Sequence, residues 1–194
     1  PQLHAPMTTP PKSSQTTPPP PRLTVICGPM FAGKTTELIR RLTRHAEAGR
    51  STIALKPRLD DRYHPTDLAT HDQRTHPALA IDAPADLLAH SAEVVALDEA
   101  HFFTSGLHDA VMQLLARNSD VILAGLDRTS MNEPFGEMAR LLIEADEIIK
   151  RTAPCAICGR EAVHTIRLFD STEDIVVGGP GMFENRCRSH LNSK

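Results

Sequence analysis

Tryptophan is absent from the 194-residue chain, tyrosine occurs once, and aromatic residues make up only 4% of it. A protein that grips single-stranded nucleic acid by stacking bases on rings has little to work with here. No charge of one sign dominates either. Lys+Arg number 21 against 24 Asp+Glu, and the formal net charge of -3 gives no global attraction to nucleic acid or anionic lipid, so any basic site must be local. No run approaches the roughly 18 uninterrupted apolar residues of a bilayer helix. The first residues also lack the charged-then-apolar order of a secretory signal. The expectation is a cytoplasmic protein with neither a membrane nor a nucleic-acid partner. Four cysteines are too few and too unevenly spread for a secreted disulfide scaffold; three of them, Cys155, Cys158 and Cys187, crowd toward the C-terminal end, which points to metal.

What is present divides the chain in three. Residues 1–21 hold half of the 16 prolines, no acidic residue and one lysine, Lys12, and offer too little apolar surface to offset ordering entropy; they read as a disordered Pro-rich tail. From Leu23 the texture changes. Leu23 to Cys27 is a continuous apolar run ended by Gly28-Pro29, as in a buried parallel strand. Further runs over 51–56, 93–98, 120–126 and 147–151 read as strands. Leu38, Ile39 and Leu42 recur at helical spacing before Gly49, with Arg40, Arg41 and Arg44 read as a solvated face; residues 106–117 and 135–143 read as two more helices. Strands alternating with helices predict an α/β fold with a mostly parallel sheet over 22–151. After Arg151 cysteines, glycines and β-branched residues take over, and 152–194 reads as a small zinc-binding β domain.

Gly28-Pro29-Met30-Phe31-Ala32-Gly33-Lys34-Thr35 matches the phosphate-binding loop pattern, with a strand before it and a helix after it. The glycines let several N–H groups converge on one point beside the positive end of the helix dipole. Lys34 reaches the β/γ-phosphates, and the Thr35 hydroxyl ligates Mg²⁺. Such a loop needs a second carboxylate for the magnesium at the end of a neighbouring strand. Asp98, closing the apolar run from Glu93, fits, and Glu99 beside it is placed to take a proton from an attacking hydroxyl. Asp98-Glu99-Ala100-His101 also spells a helicase signature, but motors of that class need two ATPase lobes and this chain has room for one. Cys155-x-x-Cys158 and Cys187-x-x-His190 close a tetrahedron around Zn²⁺ with no place left open, which makes the site structural. Cys27 reads as a small core residue.

Further segments stand in order along the chain: Asp60-x-Arg62-Tyr63, Thr70-His71-Asp72, Asp98-Glu99-x-x-Phe102-Phe103, Leu126-Asp127, Glu133-Pro134-Phe135-Gly136 and Val177-Gly178-Gly179. Together with the phosphate loop and the two Cys/His pairs, they resemble the zinc-containing cellular thymidine kinases over about Leu23 to His190. The resemblance implies a P-loop, RecA-like kinase domain with a zinc-held lasso, and transfer of the ATP γ-phosphate to the 5′-hydroxyl of thymidine or deoxyuridine. It implies an ATP site from Gly28 to Thr35 together with Asp98, Glu99, Ala100 and His101. Glu99 is then the base, Lys34 and Arg62 assist catalysis, and Thr35, Asp98 and Asp60 attend the magnesium. Met30, Phe102, Leu126, Phe135, Val176, Val177, Gly178 and Phe183 line the nucleoside pocket, whose base is read largely by lasso backbone around Phe169 to Phe183. Homotetramers and feedback inhibition by thymidine triphosphate are further family traits.

Two departures from the family pattern bear on the pocket. Ser130 stands where an aromatic ring is usual, with the adaptable Met131 beside it able to swing in, and Phe183 stands where tyrosine is usual. Two other functions are compatible with a phosphate loop and a zinc site: a zinc-ribbon, nucleic-acid-binding ATPase, and a silent nucleotide-binding regulator. The charge, the shortage of rings and the single lobe oppose the first. Retention of Lys34, Asp98 and Glu99 opposes the second.

Overall fold

The computed structural model describes residues 19–58, 67–69, 75–169 and 181–192. The expected tail, apart from its last three residues, lies outside them, as do Asp60, Arg62, Tyr63, Thr70 to Asp72, and Val176 to Gly179. The elements run β1 (Leu23–Cys27), α1 (Lys34–Glu47), β2 (Thr52–Pro57), β3 (Asp67–Ala69), β4 (Thr75–Pro77), β5 (Leu79–Ile81), β6 (Val94–Leu97), α2 (Leu107–Ala116), β7 (Asp120–Gly125), α3 (Met138–Glu144) and β8 (Glu147–Lys150). A small β region follows, with β9 (Ala153–Pro154), β10 (Glu161–Ala162), β11 (His164–Arg167) and β12 (Phe183–Arg186).

Six strands form one sheet in the order β5-β2-β6-β7-β1-β8, every neighbouring pair parallel. The strand alternation explains the layers. Ile26, Ala54, Val94, Ala96, Ile122 and Ala124 turn to one face, where they meet Leu38 and Leu42 of α1. Leu23, Val25, Leu55, Val95, Leu97, Val121 and Leu123 turn to the other and pack on Leu107, Val111 and Leu114 of α2 and Met138 and Leu141 of α3. Both faces are covered, so the strands read as unbroken apolar runs. All expected sheet strands are present within a residue or two of their predicted limits. β5 and the β3–β4 hairpin were not expected, since three-residue strands leave no periodic trace.

The third helix starts later than predicted, at Met138. Gly136 has a positive φ of 49° and is not helical, and Glu137, at the helix start, accepts hydrogen bonds from the backbone N–H groups of Leu107 (2.6 Å) and His108 (3.1 Å), capping α2 instead. Arg41 is not the solvated arginine expected. Its guanidinium donates to both carboxylate oxygens of Glu147, at 2.8 and 2.7 Å, tying α1 to the edge strand β8. Beyond the sheet, Cys155, Ala162 and Cys187 form a separate small core.

Candidate functional site

The sheet is parallel, so the residues that follow β1, β6, β7 and β8 emerge at one edge, where open α/β folds bind ligands. The loop after β1 is shaped by backbone demands only some residues meet. Gly28 has φ +137°, and a Cβ there would stand 2.3 Å from the carbonyl oxygen of Arg151. Arg151 braces the loop at two points: its backbone N–H donates to Cys27 O (2.7 Å) and its Nε to Ala32 O (3.1 Å). Phe31 and Gly33 take left-handed conformations at φ 61° and 74°, and the chain enters α1 at Lys34. Lys34 is buried, and its Nζ donates to Pro29 O at 2.7 Å, drawing the loop closed. Burial pushes its ammonium pKa down, against the opposing pull of the Glu99, Asp98 and Asp127 carboxylates.

Thr35, in the first turn of α1, donates its hydroxyl proton to Asp98 Oδ2 at 2.7 Å. That leaves the hydroxyl oxygen's lone pairs for a cation shared with the carboxylate. Asp98 is buried just past β6, and its other oxygen accepts the N–H of Glu99 at 3.0 Å. Glu99 is a non-glycine residue at φ 49°, ψ 38°, the kind of costly backbone state that clusters at functional sites. His101 is buried beside it. Its Nδ1 accepts the Leu126 N–H at 3.2 Å and lies 3.4 Å from Glu99 Oε2. The ring packs against Phe102 and edge-on to Phe135, with centroids at 4.4 and 4.6 Å, so His101 joins the phosphate side of the site to residues expected in the nucleoside pocket.

Met30 links that loop to the small β region. Its N–H donates to Thr165 Oγ1 (3.0 Å) and its carbonyl accepts from Asn185 Nδ2 (2.8 Å), while Phe183 is buried on β12 with its ring edge-on to Phe169 at 6.0 Å. Of the described members of the expected nucleoside pocket, Phe102, Leu126 and Phe135 meet at His101, while Phe183 is placed beside Phe169. Leu126 and Phe135 reach His101 from the segment after β7, and Met30 belongs to the loop.

The sequence alone assigns no role to several polar residues here, though Asp127 stands in one of the segments that carry the resemblance. Asp127 is buried and accepts from Lys150 Nζ at 2.6 Å. Burial works to raise its carboxyl pKa, but the bonded Lys150 ammonium, with Arg128 behind it, brings it below the ordinary value. Asn132 Oδ1 accepts from Arg128 Nη1 (2.8 Å) and lies 2.9 Å from His164 Nδ1, which Arg128 Nη1 also approaches at 3.3 Å. Met131 does not fill the space left by Ser130: it is 77% exposed, at the tip of the 128–134 loop, where it is held clear of the core by the Arg128–Pro134 bridge. Cys27 is a buried core residue, its thiol pKa pushed up by burial.

Cys155, Cys158, Cys187 and His190 place their ligand atoms within 4.8 Å of one another. The Cys158–Cys187 sulfurs are 3.7 Å apart, and His190 Nδ1 lies 3.8 Å from Cys155 Sγ and 3.3 Å from Cys187 Sγ. A tetrahedral ion about 2.3 Å from sulfur requires sulfur–sulfur edges of about 3.8 Å, so the donor set and its spacing are compatible with zinc. Burial works to raise the Cys155 thiol, but N–H groups of Cys187, Cys158 and Ile157 with His190 outweigh it and bring it down to about 5, which favours a thiolate there, whereas burial and the Cys158 and Cys155 side chains push the Cys187 thiol up.

A thymidine kinase family model matches residues 21–191. The chain belongs to the thymidine kinase family. It is 42% identical over 168 residues to a thymidine kinase of Rhodothermus sp., covering 86% of this chain and 79% of that one. Against the thymidine kinase of Coprothermobacter proteolyticus the identity is 43% over 176 residues, 87% and 89% of the two chains. The enzyme of Pyrobaculum aerophilum is 42% identical over 180 residues, 87% and 97% of the two chains. The matched residues take in the loop, the Asp98-Glu99 pair and the Cys/His cluster. Among the described residues no helix is long and apolar enough to cross a membrane.

Proposed function

We propose that this thymidine kinase family member transfers the γ-phosphoryl group of ATP to the 5′-hydroxyl of thymidine, and of deoxyuridine. The observation that carries the reading is the Thr35–Asp98 hydrogen bond beside the phosphate loop, with Glu99 next to it in a left-handed conformation. The loop N–H groups and Lys34 hold the phosphates. The Thr35 hydroxyl and Asp98 hold magnesium, which when bound neutralises charge developing on the transferred group. Glu99 takes the proton of the attacking hydroxyl as the oxygen–phosphorus bond forms and the bond to ADP breaks. Phe102, Leu126, Phe135, Met30 and Phe183 surround the nucleoside; Asp60, Arg62, Val176, Val177 and Gly178 complete the site in this reading.

Cys155, Cys158, Cys187 and His190 hold a structural zinc, which fastens both ends of the lasso. Residues 22–151 form the kinase unit and 152–194 the zinc-binding unit. A cytoplasmic homotetramer inhibited by thymidine triphosphate, with no nucleic-acid or membrane partner, completes the proposal. Incubation with γ-labelled ATP and a nucleoside panel, with and without single-stranded DNA, tests it. Label on thymidine is the expected result. DNA-stimulated release of inorganic phosphate without nucleoside labelling would make the chain a motor, and no turnover at all would make it a regulator.

A further inference from the structure

Both backbone hydrogen-bonding groups of Met30 are held by side chains from the small β region. The N–H donates to Thr165 Oγ1 at 3.0 Å, and the carbonyl accepts from Asn185 Nδ2 at 2.8 Å. Thr165 and Asn185 stand directly opposite each other in the β11–β12 ladder, and the Thr165 hydroxyl donates in turn to Asn185 Oδ1 at 3.2 Å. All three bonds are mutually exclusive with any other orientation. The Asn185 amide must present nitrogen to Met30 and oxygen to Thr165, and the Thr165 hydroxyl must accept from Met30 and donate to Asn185. Both side chains are buried, where an unmade bond is costly.

The Met30 carbonyl shares a planar trans peptide with the N–H of Phe31, the residue at which the phosphate loop turns left-handed (φ 61°). Asn185 therefore fixes the plane on which the loop reverses, with the Phe31 N–H directed away from the β11–β12 ribbon. Asn185 is itself anchored at the metal cluster. Its carbonyl accepts the N–H of Ala156, the residue after Cys155, at 2.9 Å, and Cys187 lies two positions beyond it.

We infer that Asn185 is a positioning residue for phosphoryl transfer, holding the phosphate loop through Met30 in register with the nucleoside pocket and coupling that register to the Cys155–Cys158–Cys187–His190 knot. The inference rests on the kinase reading. Misalignment of donor and acceptor by an ångström lowers the rate of transfer far more than it weakens either substrate's binding.

Asn185→Asp keeps the shape and the acceptor for Thr165 but loses the donor to Met30; Asn185→Ala removes both without adding charge. Steady-state kinetics with ATP and thymidine, metal content per chain, and amide hydrogen exchange at Met30 and Cys187 form the test. The expected result in whichever variant folds is a kcat lower by about tenfold or more, both KM values within about threefold of wild type, unchanged metal content, and exchange at Met30 at least about tenfold faster with Cys187 as protected as before. A kcat near that of wild type, a rise confined to the thymidine KM, or a loss of activity in proportion to lost metal would each overturn it. Wild-type protein that fails to phosphorylate thymidine sinks the kinase reading by itself; the Met30 exchange then decides the inference, and unchanged exchange in the variants rejects it.

Discussion

Thr35 Oγ1 and Asp98 Oδ2 are 2.7 Å apart although they follow strands that are not neighbours, because β7 lies between β1 and β6 in the sheet. The contact spans the end of β7, which closes in Ala124-Gly125, and a Cβ on Gly125 would already press to 3.2 Å on the His101 backbone nitrogen. Two elements far apart in sequence thus present one hydroxyl and one carboxylate to the same point. Glu99 is next in the chain, its Oε2 3.4 Å from His101 Nδ1.

Glu99→Gln is nearly isosteric, preserves hydrogen bonding and cannot accept the proton. We expect kcat to fall by roughly 10²–10⁴ while a nucleotide-binding assay shows ATP affinity close to wild type. A variant retaining more than about a third of wild-type kcat would remove Glu99 from the role of base.

Much of this site is legible in the sequence because its demands are local. The phosphate loop is written in glycines whose backbone angles other residues rarely adopt, Asp98 by its place at the end of an apolar run, and the Cys/His cluster by the spacing of two pairs. What escaped the sequence depends on which surfaces meet. Thr165 and Asn185 look like ordinary polar strand residues until the ribbon is laid against Met30. Arg41 reads as solvated until Glu147 arrives from β8, and the Asp127–Lys150 pair forms only because β7 and β8 flank β1. Met131 reads as a gap-filler until the Arg128–Pro134 bridge turns it outward.

Cys158→Ser tests the metal proposal. A structural zinc site contributes on the order of 10 kcal/mol to its local fold, so loss of one ligand should take metal analysis from about one zinc per chain to a small fraction of that. With the lasso unfastened, the thymidine KM should rise sharply and the ATP KM less. Metal-free protein with full activity would sink the assignment.

His164 predicts a pH dependence. It is buried, its Nε2 has no partner among the described residues, and burial, followed by the charges of Arg128 and Arg188, lowers its pKa from 6.5, with Asp127 pulling the other way and Lys150 adding to the depression. The folded protein therefore resists a proton the unfolded chain takes up. The contribution is fully present above pH 6.5 and is lost as the pH falls below it, through the folded-state value, at no more than about 1.4 kcal/mol per pH unit. Urea midpoints measured at successive pH values should decline less steeply for His164→Gln than for wild type; equal slopes would show that His164 carries no such linkage.

Ser130 offers the sharpest test of the nucleoside pocket. The family resemblance of the sequence implies a ring at this position, and Met131, pointing into solvent at 77% exposure, does not replace it. A missing ring wall forfeits apolar contact worth roughly 1–3 kcal/mol. Phe183, in place of tyrosine, keeps its ring buried against Phe169 and loses at most one hydroxyl bond of about 0.5–1.5 kcal/mol. The wall is therefore the larger of the two deficits. Ser130→Phe should raise kcat/KM for thymidine, by roughly fivefold to a hundredfold if the ring recovers that contact, and lower it for analogues with bulky 5- or 3′-substituents, which occupy the same space. A fall for thymidine would show that the 128–134 loop, with its Arg128–Asn132–His164 bonds, has been built around the serine, and that the wall of this pocket comes from elsewhere in the chain.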